Sequence, residues 1–184
     1  GFLQQHKIPA YTVSSTSAEV NKLLEEKFHV KNIIRASANY QIYLNDAAID
    51  SAGADKAAIK KYLISYINKL PEVVVAFDYE NTANVNLPAN VKEMFIQGYN
   101  AKRGGDIQIV LKSGIFYGGK TGTTHGSFNP YDAHIPLLWM GWGIRPGKLN
   151  REVYMTDIAV TLAALLHVQM PSGAVGKVIP EVLK

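Results

Sequence analysis

The sequence predicts an α+β protein with two layers, in which helices pack on a mostly antiparallel sheet. Segments with the 3.6-residue period of helices and segments typical of strands both occur, but they do not alternate strictly as in a parallel sheet. The chain has 184 residues, of which 47% are hydrophobic and 18% charged. It is therefore long enough and apolar enough to bury a sizeable core.

Four segments carry apolar residues at helical spacing. The first follows Thr16 and Glu19, whose spacing is that of a capping box. The second ends before Pro71, the third covers residues 88–99, and the fourth begins at Thr156, a favourable N-cap residue. The apolar residues of the four segments are, in order, Val20, Leu23, Leu24 and Phe28; Ile59, Tyr62, Leu63, Tyr66 and Ile67; Val91, Met94, Phe95 and Tyr99; and Ile158, Leu162, Leu165 and Leu166.

The strand candidates lie between these helices. Residues 32–35 and 40–44 predict a hairpin. Residues 73–77 form a continuous β-prone run, which predicts a strand buried on both faces. Residues 107–111 place isoleucine and leucine at every second position, as a strand requires. Residues 135–142 are apolar enough to predict a central strand of a sheet.

Three motifs overlap in residues 114–127, which read GIFYGGKTGTTHGS. Residues 114–121 fit G-x-x-x-x-G-K-[ST], the phosphate-binding loop of nucleotide hydrolases. Residues 120–122 fit the K-T-G element of penicillin-binding enzymes. His125 stands in a polar turn, T-H-G-S, of a kind that can present an imidazole to a metal ion.

The first two motifs lack the context that their chemistry needs. A phosphate-binding loop leads directly into a helix, whereas residues 122–130 contain two glycines and a proline. A penicillin-binding enzyme needs a nucleophilic serine in S-x-x-K. Residues 37–39 supply an S-x-N, but no serine of this chain has lysine three positions later. A fragment of such an enzyme, carrying only K-T-G, remains an alternative.

Composition and charge disfavour or exclude several other kinds of function. The formal net charge is +4, and the densest group of cations, residues 56–61, has three lysines on a predicted helix. Such a group is typical of a solvated helix face, which disfavours nucleic-acid binding. A non-catalytic module that binds a partner through this mild charge stays open as an alternative. The absence of cysteine excludes disulfides and thiolate metal sites, and no apolar run is long enough to span a membrane.

Four blocks of sequence, taken in order, resemble the C-terminal part of the alkaline phosphatase superfamily. The most similar branch is that of the bacterial phosphate-irrepressible phosphatases, which are allied to nucleotide pyrophosphatase/phosphodiesterases. The blocks are GDIQIVLK at 105–112, TTHGS at 123–127, YDAHIPLL at 131–138 and TDIAVTLAALL at 156–166.

This resemblance implies hydrolysis of phosphate esters by two zinc ions and a threonine or serine nucleophile. It assigns His125 as a zinc ligand, with Asp132 and His134 as candidates for orienting it. The nucleophile and the other ligands of the family precede the region of resemblance. We therefore expect no catalytic residue in this chain and do not assign Thr121, Thr123 or Thr124 as nucleophile.

The resemblance also predicts how the chain is organised. Residues 1–103 would form an accessory, cap-like α+β lobe, and residues 104–184 the C-terminal portion of the phosphatase, an edge of its α/β/α catalytic core. We expect the missing N-terminal catalytic portion to be its intramolecular partner and a small phosphate ester to be the substrate. The isolated chain is expected to be inactive, and the parent protein to be periplasmic or secreted.

Overall fold

The structure, a computed structural model, describes residues 17–115 and 125–183. The chain divides into two compact units, Gly1–His134 and Ile135–Lys184. The described helices of the first unit are α1 (Ser17–Phe28), α2 (Asp46–Ser51), α3 (Lys56–Ile67), α4 (Ala89–Gly98) and α5 (Pro130–Ala133), with a 3-10 helix at Tyr79–Asn84. Its described strands are β1 (Ile34–Ala38), β2 (Gln41–Leu44), β3 (Val73–Asp78) and β4 (Ile107–Leu111).

The four strands form one antiparallel sheet in the order β1-β2-β4-β3. The prediction of an α+β fold with a mostly antiparallel sheet is thereby confirmed. The predicted hairpin is β1–β2, in which Ala38 pairs with Gln41. Asn39 and Tyr40 are thus a two-residue turn, and their φ angles of 52° and 60° are the left-handed values of a type I′ hairpin.

One face of the sheet is covered by α1 and α3. Their apolar stripes interlock with side chains of all four strands, and most of these residues are almost fully buried. Burial of this area supplies the main driving force for folding of the lobe. The buried members are Val20, Leu24, Val30, Ile33, Ile34, Ile42, Leu44, Ile49, Ile59, Leu63, Ile67, Val73, Ala76, Ile107 and Ile109.

The other face carries an aromatic cluster, formed by Phe77, Tyr79, Phe95, Tyr99 and Phe128 around Val110. Because side chains alternate along a strand, Val110 points away from the core that Ile107 and Ile109 enter. The rings meet edge to face: the centroids of Phe77 and Phe95 are 5.7 Å apart and their planes 74° apart. This is the geometry that aromatic pairs prefer, and it attaches α4 to the sheet.

Two details of the first unit differ from the prediction. Residues 73–77 are not buried on both faces, because Val74 is 56% exposed. The pairing of β3 with β4 shifts register between Val73 and Val75, so a bulge turns Val74 outward. Helix α2 was not predicted; its N-cap residue is Asn45, whose side chain accepts a hydrogen bond from the backbone N–H of Ala48. The predicted capping residue Thr16 lies outside the described residues.

The second unit is built around helix α6 (Asp157–Leu165) and a 3-10 helix at Pro180–Val182. Thr156 is the N-cap residue of α6 as predicted, but its side chain makes no capping bond. The buried carboxylate of Asp157 instead accepts hydrogen bonds from the backbone N–H groups of Tyr154 and Lys177. These bonds tie the chain before and after the helix to its first turn.

Thr161 makes a second connection in this unit. Its hydroxyl is fully buried, donates to the carbonyl of Asp157 and accepts from the backbone N–H of Ile179. At the surface, Arg151 and Glu181 form a bidentate ion pair with two N···O distances of 2.8 Å. The hydrogen bonds from Arg151 lower the pKa of Glu181 to about 2.

The predicted central strand at residues 135–142 is wrong, since the structure has no strand there. Several of its apolar side chains face solvent: Leu138 is 89% exposed, Met140 97% and Trp142 89%. The apolar face predicted for α6 is also exposed at Leu162 and Leu166, while Val160 and Thr161 are buried. Hydrophobicity indicates that a residue belongs inside a protein, but the described part of this unit does not supply the layer that would cover these residues.

None of the helices in the described residues has the length and apolar character needed to cross a membrane.

Candidate functional site

His125 lies in the segment of the first unit that joins β4 to α5. Its side chain is 84% exposed. The segment continues through Gly126, Ser127 and Phe128 to Asn129, which precedes the first turn of α5. The imidazole is therefore at the surface of the described structure and is not buried among apolar side chains, as a structural core histidine would be.

Asp132, in α5, organises this turn. One carboxylate oxygen lies 2.6 Å from Nδ1 of His125. The other accepts hydrogen bonds from the backbone N–H groups of Gly126, at 3.0 Å, and Ser127, at 2.8 Å. The carboxylate is itself largely buried, with 10% of its side chain exposed. Asp132 thus both shapes the backbone after His125 and fixes the orientation of the ring.

The ionised carboxylate of Asp132 sets the tautomer of the His125 ring. The hydrogen bond from His125 and the backbone N–H of Ser127 lower the pKa of Asp132 below its ordinary value. An ionised carboxylate can only accept hydrogen bonds, so Nδ1 of His125 carries the hydrogen that faces it. In the neutral ring the lone pair is then on Nε2. A carboxylate behind a histidine is the arrangement that holds metal-binding imidazoles in one tautomer.

Tyr131 connects the residues just after β4 with those just before α5. The hydroxyl oxygen of Tyr131 accepts hydrogen bonds from the backbone N–H of Gly114, just after β4, and from the side chain of Asn129. Gly114 and Asn129 are thereby both held to the side chain of Tyr131. No sequence pattern predicts this role, since Tyr131 stands only within the block YDAHIPLL.

Of the other predicted residues, His134, Ser37 and Asn39 belong to the described part of the chain. Among the described residues, no hydrogen bond joins His134 to His125 or Asp132, and His134 lies exposed at the end of α5. Residues 120–122 and the threonines at 121, 123 and 124 lie outside the described residues, so the phosphate-loop and K-T-G motifs have no described geometry. Ser37 is in β1 and Asn39 in the hairpin turn.

The lysines at residues 56–61 are partly neutralised by carboxylates. The ammonium of Lys56 lies 2.7 Å from both Asp46 and Asp106, and that of Lys60 2.5 Å from Asp78. Paired cations attract a polyanion less than free ones do. These ion pairs weigh against the alternative in which this lobe binds nucleic acid through its lysines.

Zinc in proteins takes four ligands, of which at least three come from the protein. Within residues 17–115 and 125–183, no three histidine or carboxylate side chains come together as a metal site. His125 fits zinc by its chemistry, as an exposed imidazole backed by a carboxylate, but it supplies one ligand only.

The alkaline phosphatases are the class to which these features point, and comparison with known proteins places the chain in that superfamily. The four ordered sequence blocks predicted this membership. Alkaline phosphatase PafA of Elizabethkingia meningoseptica is 42% identical over 185 residues, covering 100% of this chain and 34% of the relative. Alkaline phosphatase PhoV of Synechococcus elongatus is 42% identical over 184 residues, covering 100% of the chain and 33% of the relative.

Comparison with solved structures agrees with this placement. Crystal structures of wild-type PafA and of a multiple mutant of it match the chain with a TM-score of 0.91 and 42% identity. They are matched over 100% of this chain and 35% of theirs.

A protein of Myroides odoratus called a calcium-transporting ATPase is 39% identical over 168 residues, covering 90% of the chain and 31% of that protein. No protein-family model matches the chain. The chain spans about a third of the length of its relatives.

Proposed function

We propose that the chain is the C-terminal portion of a zinc-dependent phosphatase that hydrolyses phosphate esters. The observation that carries the proposal is the exposed ring of His125, held through Nδ1 by Asp132 at 2.6 Å. The similarity to two alkaline phosphatases supports the reaction class. The two alternatives, a binding module and a penicillin-binding-type fragment, have no comparable support.

In this proposal His125 supplies one zinc ligand through Nε2. Asp132 holds the imidazole in the tautomer that leaves the lone pair on that nitrogen, and it fixes the ring plane through the turn at Gly126 and Ser127. When bound, zinc would supply positive charge that stabilises the phosphoryl oxygens and lowers the pKa of a bound oxygen nucleophile. In the metal centre this chain would contribute one ligand, His125, whose orientation Asp132 holds before zinc binds.

The nucleophile, a threonine or serine, and the remaining ligands would come from the rest of the parent polypeptide. The chain covers about a third of its relatives, which leaves ample sequence to supply them. We propose residues 1–103 as the accessory lobe and residues 104–184 as the C-terminal part of the catalytic core. Strand β4 pairs with β2 and β3 of the lobe, so it would be the link between the two parts. The isolated chain would then be inactive.

The exposed apolar residues of the second unit support an intramolecular partner. Leu138, Met140 and Trp142 are nearly fully exposed within one run of five residues. Patches of this kind on a soluble protein mark surfaces that are covered in the functional state. We propose that the rest of the parent polypeptide covers them.

The proposed substrates are small phosphate esters, and the proposed location is periplasmic or secreted, as for other alkaline phosphatases. The relative called a calcium-transporting ATPase suggests that the parent protein also be tested with ATP, whose hydrolysis is likewise phosphoryl transfer.

The test uses the full-length parent protein and two single variants, His125→Ala and His134→Ala. Both remove an exposed imidazole near α5, but only His125 contacts Asp132. We expect His125→Ala to lower bound zinc per protein and to reduce hydrolysis of p-nitrophenyl phosphate by at least about 100-fold, as loss of a ligand in a metal-dependent centre implies. His134→Ala should keep zinc content and rate. Unchanged zinc content and rate in His125→Ala would overturn the proposal.

A further inference from the structure

The segment that carries His125 rests against the hairpin turn of the sheet. Gly126 has a φ angle of +119°, which side-chain-bearing residues rarely adopt. A Cβ atom built on Gly126 would lie 2.9 Å from Cε2 and 3.3 Å from Cδ2 of Tyr40. The Tyr40 ring is therefore packed directly on the backbone of the residue that follows His125.

Tyr40 is itself a rigid support. It occupies the second position of the type I′ turn between β1 and β2, with a φ of 60°. Its carbonyl accepts hydrogen bonds from the backbone N–H of Ile109 and from the side chain of Gln108. Two bonds to the central strand β4 fix the turn, and the partly buried ring packs on the main core. The sheet and the main core thus hold Tyr40 in place.

The loop is held from its other end as well. Phe128, two residues after Gly126, packs edge to face on Phe95 with centroids 6.3 Å apart and planes 86° apart. Asp132 binds the amides between these two anchors. The backbone of residues 126–128 is thereby fixed by an aromatic contact at Gly126 and another at Phe128, and these contacts restrict the direction in which the His125 side chain leaves the chain.

We infer that Tyr40 is a positioning residue for His125: its ring fixes the backbone at Gly126 and thereby aims the imidazole at the zinc centre. The inference rests on the proposed function of His125 and extends it from the ligand to the accessory lobe. The lobe then has a defined task in the parent enzyme, because the hairpin turn of its sheet holds one ligand of the metal centre in place. Preorientation of this kind raises metal affinity without adding a ligand.

The test compares Tyr40→Ala with Tyr40→Phe in the full-length parent protein. Tyr40→Phe keeps the ring that contacts Gly126, and Tyr40→Ala removes it. Phe28→Ala is the matched control, since Phe28 packs on Tyr62 in the main core, with centroids 5.7 Å apart. The two readouts are the zinc dissociation constant, from competition with a chelator, and hydrogen exchange of the Gly126 and Ser127 amides in metal-free protein.

We expect Tyr40→Ala to raise the zinc dissociation constant about 10-fold, the size typical of changes behind a metal ligand, and to accelerate exchange of both amides. Tyr40→Phe should change both readouts less than Tyr40→Ala does, because it keeps the ring that contacts Gly126. Phe28→Ala should lower the melting temperature while leaving zinc affinity and the two amides unchanged.

A wild-type dissociation constant in Tyr40→Ala would overturn the inference, and so would an equal change in Phe28→Ala. Hydrogen exchange of the Gly126 and Ser127 amides in metal-free protein tests this inference independently of the proposed function, because it does not require zinc binding. If the wild type binds no zinc, the proposed function is wrong, yet faster exchange in Tyr40→Ala alone still supports the positioning of this turn by Tyr40. Unchanged exchange in Tyr40→Ala overturns that positioning whether or not zinc binds.

Discussion

The Nδ1 atom of His125 and the carboxylate of Asp132 form the contact on which the site depends. At the residue scale, the carboxylate has three bonds to satisfy within one turn, two from amides and one from the ring. The same side chain therefore couples backbone shape to ring tautomer. A substitution at position 132 can affect the His125 ring by altering the backbone of the turn or by releasing the ring tautomer. A substitution of the same size distinguishes the two effects.

Asp132→Asn keeps the size of the side chain but removes its charge and half of its acceptor capacity. We expect the variant to fold and to bind zinc about 10-fold more weakly in the full-length protein, because the tautomer of His125 is no longer fixed. A chelator competition titration measures the change. Asp50→Asn, at an exposed position of α2, is the control and should bind zinc as the wild type does. Equal affinity of Asp132→Asn and wild type would show that Asp132 serves only the turn.

At the scale of the elements, α6 is held by side chains that replace ordinary capping. Thr161 is fully buried and bonds both to the first turn of its own helix and to Ile179. Gly176 lies so close to this helix start that a Cβ on it would meet the carbonyl oxygen of Thr156 at 2.0 Å. The C-terminal segment and the start of α6 are therefore one packed structure.

Thr161→Val removes the hydroxyl and keeps the shape of the side chain. The backbone N–H of Ile179 then loses its acceptor inside the protein, so we expect a loss of about 1–3 kcal/mol in the free energy of unfolding. Thr156→Val is the control, because the Thr156 side chain makes no capping bond. It should change stability by no more than about 0.5 kcal/mol, the range typical of surface substitutions. Urea denaturation of the full-length proteins measures both, and equal losses would contradict the assignment.

The sequence predicted those elements whose signals are local. The period of Val20 and Leu24 predicted α1, and the segment around Leu63 predicted α3, because each apolar stripe faces a core that these residues largely build themselves. Helix α2 was missed because it is short and buries only Ile49. The prediction of a strand at residues 135–142 was wrong because an apolar run indicates burial. It does not indicate the secondary structure of the segment or the part of the protein that covers it.

For the candidate site, too, the sequence predicts local features but not the tertiary contacts. The local sequence indicates the turn that carries His125, and the resemblance assigns the ring as a zinc ligand with Asp132 and His134 as candidates for orienting it. Of these two, Asp132, seven residues away, makes the contact. Spacing along the chain cannot show that Tyr40, 86 positions before Gly126, packs on the same turn, because that contact exists only after β1, β2 and β4 have paired. Tertiary contacts of this kind leave no pattern in a single sequence.

At the scale of the whole molecule, the chain has one well-packed unit and one with a large apolar surface. Met140 is 97% exposed here. If the rest of the parent polypeptide covers residues 135–142, Met140 will resist oxidation by hydrogen peroxide in the full-length protein and will oxidise readily in the 184-residue chain. Peptide mass spectrometry after a short exposure measures both. Equal oxidation in the two proteins would show that this surface is not covered by the remainder of the parent.

The position of bound zinc relative to His125 tests the central claim most directly. A crystal structure of the full-length protein, with data collected on both sides of the zinc absorption edge, locates each zinc ion by its anomalous signal. The account predicts one zinc ion about 2.0–2.1 Å from Nε2 of His125, the usual zinc–imidazole distance, with Asp132 still bound to Nδ1. Zinc ions bound elsewhere, with the His125 ring facing solvent or away from them, would contradict it.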